Sequence, residues 1–149
     1  MSHRFIARTE EDTITLAENL ESAKFPNMVI CLYGDLSSGK TLFVKGFAHA
    51  LEVHDDVTSP TFNIIKEYVG QLPLFHMDVY RCGDDIECLG LEEYFTKKGV
   101  VIIEWADLIE ERLPKERLDI HIQVLDNDAR IFMLKPHGEK HEEAVEAAI

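Results

Sequence analysis

The sequence predicts an α/β domain built on a mixed β-sheet flanked by helices. Three observations carry this expectation. Met28-Val-Ile-Cys-Leu-Tyr33 is an unbroken apolar run of strand length, the pattern of a strand covered on both faces. A glycine-bounded loop at residues 34–41 follows it directly and leads into apolar residues at helical spacing. Beyond that point apolar strands interleave with helical patterns and with two hairpin signals.

Each element has its own reason. Thr9-Glu-Glu-Asp-Thr13 precedes Ile14, Leu16, Ala17 and Leu20, which predicts an amphipathic helix capped by Thr or Asp. Pro26 and Asn27 break it. After the loop, Leu42, Phe43, Phe47, Ala48, Ala50 and Leu51 continue at helical spacing. Residues 61–69 and 72–80 read as strands separated only by Gly70-Gln71, so they predict an antiparallel hairpin. Residues 84–95 suit a helix with an Asp cap and Ile86, Leu89, Leu91 and Phe95 near one face. Val100-Val-Ile-Ile103 is a second buried-type strand. Residues 118–125 alternate as a strand does, Asp126-Asn-Asp128 makes a turn, and 129–135 return. Residues 1–136 are read as the domain and 137–149 as an acidic C-terminal tail or frayed helix.

Composition sets the outer bounds. At 149 residues the chain is one domain, large enough to bury about 68–70% of its unfolded surface without staples. Its 28 acids against 15 bases leave a net charge of −13, which argues against unaided binding to nucleic acid. The longest apolar run falls far short of the ~20 residues that span a bilayer, and the N-terminus lacks a signal-peptide core. Three cysteines, Cys31, Cys82 and Cys88, argue against a disulfide framework and for a reducing, cytoplasmic setting.

The chemistry concentrates in Gly34-Asp-Leu-Ser-Ser-Gly39-Lys40-Thr41, which matches G-x-x-x-x-G-K-[ST]. Average residue usage produces that match in a chain of this length about half a percent of the time. Its place between a buried strand and a helix is what phosphate binding requires. Backbone N–H groups and the positive end of the helix dipole converge on the phosphates there. Lys40 is expected to reach the terminal phosphates and the Thr41 hydroxyl to ligate Mg²⁺. The domain is accordingly expected to be of the P-loop NTPase kind.

Such a loop needs carboxylates to hold the metal and orient water. Leu74-Phe-His-Met-Asp78 and Val100-Val-Ile-Ile-Glu104-Trp105 each place an acid after an apolar run, at a strand end where α/β ligand sites gather. An ordinary turn or helix cap is the competing reading for either. Thr58-Ser-Pro-Thr61 is either a γ-phosphate-sensing segment or a plain turn. His76 is either a packed strand histidine or a proton-shuttling neighbour of Asp78. His137 and His141, four apart, could share a helix face, though solvated histidines are the default. Arg81 and Arg130 are the arginines to test for phosphate contact.

Five ordered motifs resemble the bacterial TsaE (YjeE) ATPases. They are Gly34 to Thr41, Thr58-Ser-Pro-Thr-Phe62, His76-x-Asp78-x-Tyr80-Arg81, Leu89-Gly-Leu-Glu-Glu-Tyr-Phe95 and Ile103-Glu-Trp105. The resemblance spans about residues 9–135. It implies a role in making threonylcarbamoyladenosine beside the anticodon of tRNAs reading codons that begin with A. It implies an ATPase that does not transfer the carbamoyl group itself, but binds the TsaB–TsaD pair and supports its turnover. ATP and ADP are then the ligands, Mg²⁺ the cofactor, and tRNA is met only through the partners. The family's metal ligands fall on Thr41 and Glu104, and its second acid on Asp78, giving Asp78 and Glu104 as catalytic candidates. Nucleotide contacts fall on Glu10, Ser37, Ser38, Gly39, Lys40, Thr41 and Leu42, with Arg130 added from the last hairpin. One departure is visible: the family usually has Gly-Ala where this chain has Ser37-Ser38. Should Ser37 need positive φ, the missing glycine costs about 1 kcal/mol. A small-molecule kinase and a nucleotide-gated binding module are the alternatives. The first lacks an evident arginine cluster for a lid.

Overall fold

The apolar run at residues 28–33 is strand β2 (Met28–Tyr33), in the middle of a seven-stranded sheet, and that position explains its composition. The computed structural model describes residues 2–35, 38–58, 65–80 and 90–149. Among them the other strands are β1 (His3–Ala7), β3 (Ile65–Tyr68), β4 (Leu74–Asp78), β5 (Val100–Glu104), β6 (Arg117–Val124) and β7 (Arg130–His137). The sheet order is β1-β7-β6-β2-β5-β4-β3. Strands β6, β2, β5 and β4 run parallel, while β3, β7 and β1 join through antiparallel pairings at the two edges. The sheet is therefore mixed and the class α/β, as the sequence predicts.

Successive residues of a strand face opposite sides, and here the two sides are covered differently. Ile30, Leu32, Ile102, Ile120 and Phe132 face helices α1 (Glu10–Ser22), α2 (Lys40–Ala50) and α3 (Glu139–Ala148), meeting Leu16, Leu20, Phe43, Phe47 and Val145. Each such side chain contributes about 1.5–3 kcal/mol on burial. Val29, Cys31, Val101 and Ile103 face the other way, against two 3-10 helices, Leu91–Thr96 and Ala106–Arg112, through Leu91 and Ile109.

Helix α1 begins as expected. Thr9 is the N-cap, its hydroxyl accepting the Asp12 N–H at 3.2 Å, while the Asp12 carboxylate accepts from Thr9 N–H at 3.2 Å. The Gly70-Gln71 hairpin also forms, pairing Tyr68 with Leu74. Residues 61–64 of its first expected strand lie outside the described residues.

Three expectations need correction. Residues 3–7 form edge strand β1, paired with β7, where no strand was read. Its alternation is masked because it mixes charge with apolar residues on an open edge. Of the two readings for the segment after Pro136, helix and tail, the helix holds and the tail does not. Pro136 lies inside β7, and α3 inserts Ala144, Val145 and Ala148 into the core, their i, i+1, i+4 spacing making an apolar stripe amid glutamates. Of the helix read over 84–95, residues 84–89 lie outside the described residues, and Leu91–Thr96 is 3-10 rather than α.

Candidate functional site

Parallel strands aim their C-terminal ends at one crevice, where α/β sheets gather their ligands. Three such ends meet here. Strand β2 ends at Tyr33 and hands over to the 34–41 loop, β4 ends at Asp78, and β5 ends at Glu104. Asp78 and Glu104 are register partners, and Glu104 also stands opposite Leu32, so both acids come to the loop by sheet geometry alone.

The loop is shaped by close approaches. A Cβ on Gly34 would sit 2.7 Å from Ser38 Oγ and 2.9 Å from the Ile122 carbonyl oxygen, so only glycine fits. Gly39, at φ 102°, caps α2 in a left-handed conformation that favours glycine. Ser38 is buried, and among the described residues its Oγ has no hydrogen-bond partner. Buried hydroxyls are ordinarily satisfied, so this orphan marks a polar cradle with capacity left over. Arg130 reinforces the loop from β7: its Nε donates to the Ser38 carbonyl at 2.8 Å and its Nη1 to the Asp128 carbonyl at 2.8 Å.

Lys40 opens α2 and is buried. Its Nζ donates to the Gly34 carbonyl at 2.8 Å and stands 4.0 Å from the centroid of the Trp105 ring. Cation–π contacts contribute about 0.5–2 kcal/mol, less than a charge-assisted bond to an anion can supply. Trp105 itself has φ 63° and ψ 33°, a left-handed conformation costing a bulky residue about 1–2 kcal/mol. That reversal directly after Glu104 lets neighbouring residues serve two faces: Glu104 meets His76, and the indole meets the lysine. Tyr80 stacks obliquely on the same indole at 5.0 Å and is 62% exposed.

The acids differ in their surroundings. Glu104 is buried and its Oε2 lies 2.6 Å from Nε2 of the buried His76, so the packed strand histidine also holds a carboxylate in place. Asp78 is half-buried, its Oδ1 accepting the Tyr80 N–H at 3.0 Å. Burial, assisted by the Glu104 charge, raises the Asp78 carboxyl above its ordinary value, against the lowering by the Tyr80 bond, His76 and Lys40. One acid is thus held by an imidazole, and the other keeps a carboxyl whose proton affinity burial raises.

Other expected site residues fall as follows. Thr41 and Leu42 follow Lys40 in the first turn of α2, both half-buried. Ser37, Arg81, Cys82, Cys88 and residues 59–62 lie outside the described residues. Glu10 is exposed in the first turn of α1, and no hydrogen bond or ion pair joins it to the described part of the loop. Thr58 turns to β3 instead, its Oγ1 accepting from Lys66 Nζ at 2.6 Å. His137 and His141 do not share a helix face. His137 closes β7 and lies 2.9 Å from Asp119 Oδ2, while His141 is buried on α3 with Nε2 accepting the Val29 N–H at 3.2 Å. No group of three or more metal-ligating side chains occurs among the described residues. The donor set suits a hard cation that keeps waters and shares phosphate oxygens, for which one or two carboxylates suffice.

Two features escaped the sequence reading: Trp105 as the perch of Lys40, and Tyr80 beside it. Strand alternation would send Trp105 to the face opposite Glu104, and only its left-handed backbone returns the indole to Lys40.

Comparison with known proteins agrees with this picture. The family profile described as "Threonylcarbamoyl adenosine biosynthesis protein TsaE" matches residues 7–132. A Bacillus subtilis protein named "tRNA threonylcarbamoyladenosine biosynthesis protein TsaE" is 50% identical over 133 residues, covering 89% of this chain and 84% of that protein. A Treponema pallidum protein of the same name is 36% identical over 129 residues, covering 85% and 96%. The crystal structure of Bacillus subtilis YdiB superposes with a TM-score of 0.86 at 42% identity, covering 99% of this chain and 94% of that one.

Proposed function

Because the chain belongs to the TsaE family of tRNA threonylcarbamoyladenosine biosynthesis proteins, we propose that it is the ATPase of that process. The observation that supports this most is the convergence of Lys40, Asp78 and Glu104 at the C-terminal ends of three neighbouring strands. ATP phosphates would lie in the 34–41 loop, at the N-terminus of α2, with Lys40 supplying the positive charge. The unpartnered Ser38 Oγ and the close-packed glycines fit such a ligand.

Mg²⁺ would be held by Thr41 and Glu104 and would neutralise charge on the phosphates. His76 keeps the Glu104 carboxylate oriented, and Asp78, its register partner, would accept a proton from the attacking water. Arg130, donating to the Ser38 carbonyl, holds the loop.

Hydrolysis by this chain alone is slow in this reading, because a partner completes the site. We take that partner to be the TsaB–TsaD pair, with tRNA met through it rather than by this acidic chain. The test measures ATP hydrolysis with and without the pair, including small-molecule phosphate acceptors. Stimulation by the pair supports the reading, whereas phosphate transfer to an acceptor with no response to the pair favours a kinase.

A further inference from the structure

Trp105 combines three features at the end of β5. Its backbone is left-handed, its ring carries a buried ammonium at 4.0 Å, and it also meets the exposed Tyr80 ring at 5.0 Å and an interplanar angle of 57°. Strain of this kind in a bulky residue points to a functional demand. The two rings form a shelf at the mouth of the crevice, with Lys40 at its inner end and solvent at its outer end.

The lysine cannot serve both the ring and a nucleotide. Its present contacts are the Gly34 carbonyl and a π-face, with the Asp78 charge nearby, and a multiply charged phosphate is the stronger attraction. Nucleotide therefore withdraws the cation from Trp105. What remains is an aromatic face at the end of β5, with Asp78 ending the neighbouring strand, on a chain of net charge −13, a setting selective for a new cation. Guanidinium suits it better than ammonium, since its plane stacks on aromatic rings and sheds water more readily.

We propose that Trp105 and Tyr80 form a nucleotide-gated seat for an arginine side chain of a partner protein. Lys40 occupies this seat in the empty state, and the charge complementarity of the ring and of the acidic chain selects the guanidinium. The proposal rests on nucleotide binding at residues 34–41 and gives the docking surface a defined chemistry.

The experiment uses the full chain and N-acetyl-arginine amide as probe, with the lone tryptophan as reporter. Calorimetry establishes separately whether Mg-ADP is bound. In the loaded chain the probe should change Trp105 emission saturably, at least fivefold more tightly than in the empty chain. The neutral isostere N-acetyl-citrulline amide should not. Lys40→Ala should respond to the probe without nucleotide, because its seat is already vacant. Tyr80→Ala should bind Mg-ADP within twofold of the parent yet weaken the probe at least fivefold. Equal response in loaded and empty chains, an equal response to citrulline, or none in a chain shown to hold nucleotide would overturn the proposal. If calorimetry finds no nucleotide binding, the underlying reading fails, and the Lys40→Ala arm still decides whether the seat exists.

Discussion

Helix α3 is fastened to the sheet by a histidine, and this makes stability depend on pH in a calculable way. His141 is buried, with Nε2 accepting the Val29 N–H, so it must remain neutral at that nitrogen. Burial, aided by the nearby His137 charge, lowers its pKa from 6.5 to about 4. The unfolded chain therefore takes up this proton first. The stabilisation is complete above pH 6.5 and drains away as pH falls towards 4. At 1.36 kcal/mol per unit the ceiling is about 3 kcal/mol, and residual solvation of the ring reduces it to about 2 kcal/mol. For a chain of this size that corresponds to a fall in Tm of about 4–8 °C. The assay is urea denaturation of the parent and of His141→Gln from pH 7.5 to 4.5. Glutamine offers the Val29 N–H an acceptor that does not titrate, so the difference between the two curves isolates this group from the many carboxylates. The parent should lose about 2 kcal/mol more than the variant across the range. Parallel curves would refute the buried neutral histidine.

Other outcomes follow from the crevice. Lys40→Ala should weaken ATP binding by about tenfold or more by calorimetry, since it removes the ammonium at the loop; unchanged affinity would place nucleotide elsewhere. Asp78→Ala and Glu104→Ala should each lower the hydrolysis rate more than they lower nucleotide affinity, and parent rates in both would remove the acids from the reaction. Gly34→Ala forces a Cβ to 2.9 Å from the Ile122 carbonyl and should cost about 1–3 kcal/mol in urea melts, with no loss showing that the loop can shift freely. Mg-nucleotide should alter Trp105 emission as Lys40 leaves the ring, and an unchanged spectrum at saturation would separate the indole from the site.

Much of the fold was legible because its strands are buried on both faces. β2 and β5 read as continuous apolar runs, and the motif between β2 and α2 fixed where the crevice opens. The acids were legible for the same reason, because a carboxylate ending a buried strand has nowhere to go but the C-terminal edge. β1 was not, since an edge strand with Arg4 and Ile6 in solvent carries little periodic signal. α3 failed for a different reason. Only four of its ten residues are buried, and one is His141, whose attachment to Val29 lies across 112 positions of sequence.

The pairing of Glu104 with Trp105 shows where pattern reading stops and geometry begins. In sequence they are an acid and the aromatic after it, and strand alternation alone would send them to opposite faces of the sheet. Helical continuation would instead turn the indole away from the loop. The left-handed backbone at Trp105 follows neither rule. It ends β5 abruptly, leaves Glu104 beside Asp78 under the hand of His76, and returns the indole to Lys40. A conformation that costs about 1–2 kcal/mol persists only where the surrounding packing enforces it. Here Ala106 and Ile109, anchored in the core directly beyond it, supply that enforcement. The crevice therefore brings its cation and its acids together at a single strained residue, which touches Tyr80 at the solvent-facing rim.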